Sequence, residues 1–254
     1  MPRILPVDEE VSWPSNEGAI GIVGVAPWAT IDFLKALYAQ VSASKDWHYP
    51  RVLCDINTKL PSRGRHLELG ERDPSPFIAA TIAELAEQGA TLAVVPCNTA
   101  HILYSRWASG SPIPVPNIVT ATIDVLGTGG AKKAAVFVSP SLHRHGIYQQ
   151  AILSAGIDAV SLDEEGVELI SLAIHEVKTS ARISLPSLTR IENLLEQLAA
   201  RGVDGLVLGC TELTGLELVA RRFLPVVAES NNALAAAALR GISMTPVASS
   251  DRNI

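Results

Sequence analysis

Short, continuously apolar runs alternate along this chain with longer segments in which apolar residues return every three or four positions. The first run, Ala19-Ile20-Gly21-Ile22-Val23-Gly24-Val25-Ala26, lacks the polar alternation of a half-exposed strand, so it predicts a strand buried on both faces, ended by Pro27. Thr30 then predicts the cap of a helix whose residues Phe33, Leu34, Leu37 and Val41 share one face. A second strand is predicted over residues 51–56. The stretch that follows, Asn57-Thr58-Lys59-Leu60-Pro61-Ser62-Arg63-Gly64-Arg65-His66, is polar and punctuated by Pro and Gly, and it reads as a loop rich in cationic donors. Loops at the C-terminal ends of strands are where α/β folds keep ligand contacts. A helix over 76–87, with Phe77, Ile78, Ile82 and Leu85 on one side and Gly89 as its stop, leads to a third strand over 92–96.

Beyond the Pro-interrupted link at 111–116, the pattern predicts a short strand over 117–119 and a helix from Thr120, and Gly127-Thr128-Gly129-Gly130 marks a boundary. The alternation then restarts. Strands are expected over 134–138, 158–162, 205–209 and 224–228. Ser139-Pro140-Ser141 reads as a loop. Helices are expected over 146–155, around Leu169, Ile170, Leu172, Ala173 and Val177, over 188–200 and over 232–239. Alternating helices and apolar strands define the α/β class, here two pseudo-symmetric three-layer α/β/α domains with mainly parallel sheets and the active site in the cleft between them. The first domain is expected over 1–120, completed by the C-terminal segment 230–254, and the second over 121–229.

The restart is a repetition. Val94-Val95-Pro96-Cys97-Asn98-Thr99-Ala100-His101 has a counterpart in Val207-Leu208-Gly209-Cys210-Thr211-Glu212-Leu213, each with one cysteine where an apolar run gives way to a polar, helix-starting segment. Upstream, Ala86-Glu87-Gln88-Gly89 answers to Ala199-Ala200-Arg201-Gly202, so that Gly89 precedes Cys97 by the same interval as Gly202 precedes Cys210. Two copies of one device imply a duplicated fold with a shared site.

Composition narrows the class of partner. The net charge of −6, with no Lys/Arg run, excludes a nucleic-acid footprint and an anionic membrane surface. Residues 1–18, with Pro2, Pro6 and Pro14 among Asp8, Glu9, Glu10 and Glu17, read as an irregular arm and lack the charge pattern of a secretory signal. No apolar run approaches the roughly 18 residues that span a bilayer. The expectation is a soluble cytoplasmic protein. Three cysteines in a chain of this size do not make a disulfide framework, so the thiols are read as reduced. Cys54, inside the strand-like Arg51-Val52-Leu53-Cys54-Asp55-Ile56, reads as a small buried hydrophobe. His143 and His145 have no matching Cys/His cluster, and no metal site is expected.

Cys97 and Cys210 call for chemistry. A cysteine just before a helix N-terminus faces unpaired N–H groups and the positive end of the helix dipole, which predicts a thiolate pKa below the ordinary value of about 8.5. A molecule held between the two halves would meet one thiol on each face. Inversion at a carbon acid needs that arrangement: a base takes a proton from one face, an acid returns one to the other, and N–H and hydroxyl donors carry the intermediate's charge.

At this point the sequence resembles the cofactor-independent aspartate/glutamate racemases. The resemblance rests on Pro96-Cys97-Asn98-Thr99-Ala100-His101 and Gly209-Cys210-Thr211-Glu212, with Gly21-Ile22-Val23-Gly24 and Pro27-Trp28-Ala29-Thr30 near the start, and covers residues 19–240. It implies that Cys97 and Cys210 are the catalytic acid/bases and that Asn98, Thr99 and Thr211 hold the substrate's α-amino and α-carboxylate groups. Arg63 resembles the arginine of the aspartate racemases' Pro-x-Arg loop, and Lys178 their second cation. Two cations suit a dicarboxylic amino acid. Ser139 and Glu212 complete the implied substrate contacts, while His101 is read as a packing residue behind Cys97. The resemblance further implies an amino-acid racemase acting on aspartate, without pyridoxal phosphate or metal, working as a homodimer.

Departures concern the pocket rather than the thiols. Gly24-Val25-Ala26-Pro27 replaces the family's usual Gly-Gly-Met-Gly-Pro, Ser139-Pro140-Ser141 replaces a Thr-Gly-Thr turn, and Glu212-Leu213 stands where cell-wall glutamate racemases carry histidine. Glutamate, another amino acid or a hydantoin therefore stay open as substrates, as does a cysteine-nucleophile isomerase of the same superfamily. A non-catalytic amino-acid sensor and a two-thiol redox sensor are the readings from other classes.

Overall fold

The structure is a computed structural model that describes residues 18–180 and 182–246. The expected irregular arm, apart from Gly18, lies outside the described residues, as do residues 247–254 of the expected C-terminal segment.

The first half runs β1 (Ile20–Gly24), α1 (Pro27–Tyr38), β2 (Val52–Ile56), α2 (Arg63–Leu69), α3 (Ser75–Glu87), β3 (Leu92–Val94), α4 (Tyr104–Ala108) and α5 (Ile118–Thr128). The second runs β4 (Lys133–Phe137), α6 (Pro140–His145), α7 (Ile147–Ser154), β5 (Asp158–Val160), α8 (Glu164–Ser180), α9 (Leu185–Ala200), β6 (Gly205–Leu208), α10 (Glu217–Ala220), β7 (Val226–Glu229) and α11 (Ser230–Gly241). The strands form two parallel sheets, ordered β2-β1-β3 and β5-β4-β6-β7. The central strand of the first sheet, β1, and one of the two inner strands of the second, β6, are buried throughout, as their unbroken apolar sequences require.

The two sheets share a middle layer of helices. One core joins Ile20, Ile22 and Val94 of the first sheet to Val136, Val207 and Ala228 of the second, through Phe33 and Leu37 of α1, Ile118 and Leu126 of α5, and Leu234 and Leu239 of α11. Helix α11 packs on α1, α5 and β3, which brings the C-terminal part of the described chain back to the first sheet. Each fully buried Leu or Ile contributes about 1.5–3 kcal/mol, so Leu234 and Leu239 of α11 help hold the two sheets together. The outer faces are covered separately. Ile78, Ile82 and Trp107 pack with Val23 and Val95 on one side, and Ile170, Ile191 and Leu195 pack with Phe137 and Leu208 on the other.

Local chemistry moved several boundaries. Pro27 begins α1 rather than merely ending β1, because proline lacks only an N–H that has no partner in a first turn. Thr30 consequently sits inside that turn, its hydroxyl donating to the Ala26 carbonyl at 2.7 Å instead of capping. The stretch read as a loop through His66 becomes helical at Arg63, where Ser62 Oγ accepts from Arg65 N. Residues 117–119 form no strand. Asn117 caps α5 instead, its side chain accepting from Val119 N at 2.8 Å and from Thr120 N at 3.4 Å. Cys54 is exposed rather than buried, since β2 is an edge strand and its apolar run is covered only in part.

Candidate active site

The two cysteine motifs fold alike. Each thiol follows the C-terminal end of a buried strand, β3 or β6, in extended backbone, and each is followed by a 3-10 helix, Asn98–Leu103 or Thr211–Leu216. Ala100 N donates to Cys97 O at 3.1 Å and Leu213 N to Cys210 O at 2.9 Å, the same turn in both copies. His101 Nδ1 adds a donor to Cys97 O at 2.9 Å, with its ring stacked on Tyr104 and edge-on to Trp107. Burial holds this imidazole neutral, its pKa lowered to about 4, so it fixes the backbone behind Cys97. Gly209 is required before the second thiol. A Cβ there would lie 2.7 Å from both the Tyr148 ring and Val138 Cγ1.

A cleft of about 400 Å³ lies between the halves, and all nine residues singled out in the sequence line it: Cys97, Asn98, Thr99, Cys210, Thr211, Glu212, Arg63, Lys178 and Ser139. Arg63 reaches it from the first turn of α2, donating to Val25 O at 3.1 Å and to Pro61 O at 3.2 Å, and among the described residues it makes no ion pair. Lys178, near the end of α8, lies 3.6 Å from Glu212 Oε1. Ser139 Oγ accepts from Leu142 N as the cap of α6. Glu68 also lines the cleft, bonded at 2.7 Å to Arg144 of α6, a pair that links the two halves. Nothing in the sequence singled out Glu68, because its partner is distant along the chain.

The thiols differ in surroundings. Cys97 is half-buried and Cys210 buried. Cys210 Sγ donates to Glu212 Oε2 at 2.9 Å, and Thr211 Oγ1 donates to the same oxygen at 3.1 Å. Burial first, and then the Glu212 carboxylate, push the Cys210 thiol well above its ordinary range, while Lys178 pulls weakly the other way. This corrects the expected lowering at Cys210. The helix that follows is a short 3-10 segment, and desolvation with an adjacent carboxylate outweighs its dipole. On Glu212 burial acts upward, but the Cys210 hydrogen bond and Lys178 win and keep it below its ordinary value.

A buried polar network supports the cleft from behind. Asn98 Oδ1 accepts from Tyr148 OH at 2.5 Å, and Asn98 Nδ2 donates to Ser230 Oγ at 3.0 Å. One side chain of the first half is thereby held by α7 and by the first residue of α11. Beside them, Glu229 accepts from Asn231 N at 3.0 Å, Asn232 N at 2.8 Å and Thr214 Oγ1 at 3.2 Å. Tyr148, Ser230 and Glu229 carried no signal in the sequence, since only the tertiary fold brings them to Asn98.

Two pseudo-equivalent α/β halves present a thiol each to one cleft, and comparison with known proteins supplies the family and with it the isomerase class. The profile of the Asp/Glu/hydantoin racemases matches residues 22–238. The chain belongs to this family. It is 24% identical over 221 residues to the broad specificity amino-acid racemase RacX of Bacillus subtilis, covering 83% of this chain and 92% of that one. A glutamate racemase of Shewanella baltica is 27% identical over 174 residues, covering 63% of this chain and 61% of its own length. Among solved structures, the Picrophilus torridus aspartate racemase superposes with a TM-score of 0.77 at 25% identity, covering 89% of this chain and 94% of that one. The resemblance read from the two cysteine motifs is thus borne out at the level of family and fold.

Proposed function

We propose that the protein interconverts L- and D-aspartate by a two-base mechanism without pyridoxal phosphate. One sulfur, as thiolate, takes the α-proton from one face of the bound amino acid, and the opposite thiol returns a proton to the other face. Charge that develops on the α-carboxylate meets donors at Asn98, Thr99 and Thr211. The observation that carries the reading is the convergence of Cys97 and Cys210, from pseudo-equivalent strand ends, on one cleft that also holds Arg63. A guanidinium bonded only to carbonyl oxygens keeps its charge for a substrate carboxylate, which it can grip in bidentate fashion.

A second reading, a racemase of wider specificity, is favoured by one feature. Lys178 already faces Glu212, and Glu68 places another carboxylate on the cleft wall, so Arg63 is the cation with least local compensation. A homodimer belongs to the primary reading. The edge strand β2, with Ile56 exposed and the paired rings of Tyr38 and Tyr49 partly exposed near Cys54, is a surface that a second copy would cover.

The test is exchange of the Cα proton in heavy water, run with both enantiomers of aspartate, glutamate and a panel of neutral amino acids. Aspartate is expected to exchange and racemise, and Cys97→Ser and Cys210→Ser are each expected to abolish racemisation in both directions. Full activity in either variant would sink the two-base reading. Equal turnover across the panel would select the wider specificity.

A further inference from the structure

Among the differences between the two cysteine motifs, one places a carboxylate beside a single thiol. The second residue after the thiol is Thr99 in the first motif and Glu212 in the second. We propose that Glu212 is a positioning residue that biases the resting enzyme to the form in which Cys210 carries the proton and Cys97 is the base. The proposal rests on the two-thiol reading above and adds an assignment within it.

Geometry supports the bias. A charge on Cys210 would sit 2.9 Å from the Glu212 carboxylate, whereas the neutral thiol donates a hydrogen bond to it. Thr211 Oγ1 and Lys178 hold that carboxylate in its charged form, at 3.1 and 3.6 Å. Other ionisable groups from elements packed around this turn do not replace it. Tyr148 on α7 is neutral, its phenol pushed upward by burial; Glu229 at the end of β7 is committed to the amides of α11 and to Thr214; Glu217 on α10 is paired with Arg221. No carboxylate hydrogen-bonds Cys97 among the described residues, and Thr99 carries no charge.

The proton balance follows. In the favoured form the substrate's α C–H bond breaks toward Cys97 sulfur, and the Cys210 S–H bond delivers its proton to the opposite face of the same carbon. The enzyme is left with a Cys97 thiol and a Cys210 thiolate beside Glu212. Loss of the Cys97 proton to water and uptake of one by Cys210 restore the resting form. The enantiomer whose α-proton faces Cys210 must use the minor form, which raises its KM by the population factor. Since enantiomers have equal free energy, kcat/KM must be equal in the two directions, so kcat and KM for that enantiomer rise together.

The experiment is a pH titration of each thiol in the full chain with and without Glu212→Gln. Iodoacetamide alkylation, resolved by peptide mass spectrometry, gives the midpoint for each cysteine. Because Cys210 is buried, thiolate ultraviolet absorbance in Cys54→Ser/Cys97→Ser protein gives its midpoint without reagent access. Glu212→Gln is expected to lower the Cys210 midpoint by about one pH unit or more, to leave that of Cys97 in place, and to bring the KM values of the two enantiomers together. An unmoved Cys210 midpoint in folded Glu212→Gln protein, or an equal fall at Cys97, overturns the proposal. The midpoints are measured without turnover. A protein that shows the Cys210 shift but racemises nothing would refute the proposed function and leave the Glu212 effect standing.

Discussion

Replacing Glu229 by Gln should make the protein relatively more stable at alkaline pH and less so at acidic pH. Glu229 lies fully buried at the end of β7, where desolvation raises its pKa from the ordinary 4.5 to about 7 against the lowering effect of the Asn231 and Asn232 amides and of Thr214. The folded state therefore favours the protonated form, and its stabilising effect is complete below the unfolded value and lost as pH rises through 7. A displacement from 4.5 to about 7, at about 1.4 kcal/mol per pH unit, amounts to about 3 kcal/mol, most of it lost between about pH 5 and about pH 8. His101 works in the opposite sense. Its imidazole is held neutral, with a pKa lowered from 6.5 to about 4, so protonation of the unfolded chain costs stability as pH falls, by about 2 kcal/mol over the same window. In the parent protein the two slopes largely offset each other. Glu229→Gln leaves the His101 slope alone. Urea unfolding of both proteins at acidic, intermediate and alkaline pH checks this: the variant's stability relative to the parent should rise by about 2–3 kcal/mol from about pH 5 to about pH 8. A difference that does not change with pH would refute the reasoning, whatever the constant cost of the substitution. The cleft has a stake in the result, since Glu229 caps the helix whose first residue, Ser230, holds Asn98.

Two further predictions concern the support of the cleft. Tyr148→Phe removes the hydroxyl that donates to Asn98 Oδ1 and should lower kcat/KM by about tenfold, as loss of one buried hydrogen bond of about 1–1.5 kcal/mol in the transition state implies; steady-state kinetics showing less than a twofold change would remove Tyr148 from any positioning role. Gly209→Ala places a methyl group against the Tyr148 ring and Val138 and should destabilise the fold by about 1–3 kcal/mol, read as a lower Tm, and an unchanged Tm would show that the ring moves freely.

Much of the fold was legible because parallel strands buried on both faces must be continuously apolar, and residues 19–26 and 205–209 are. The pairing of the two halves was legible too, since the repeated Gly-to-Cys interval survives in sequence and returns in space as matching turns at Cys97 and Cys210. Errors arose where one side chain decides between competing local structures. Asn117 and Ser62 start helices by accepting backbone N–H groups, and a reading by apolar period alone sees a strand or a loop there. Cys54 failed for another reason: how far an edge strand is covered depends on what packs over it, and of the two edge strands of the first sheet β3 lies under α11 and is buried while β2 is left partly open.

By itself the sequence determined the strand and helix alternation, the duplication and the two thiol-bearing turns, because these depend on local periodicity and on residues carried by equivalent strand ends. Only the tertiary structure decided how the two thiols differ. Burial, the approach of Lys178 on α8 to Glu212, and the hold of Tyr148 and Ser230 on Asn98 join residues far apart in the chain. The proton affinity of a sulfur is set by the charges and solvent around it, and those are properties of the folded cleft.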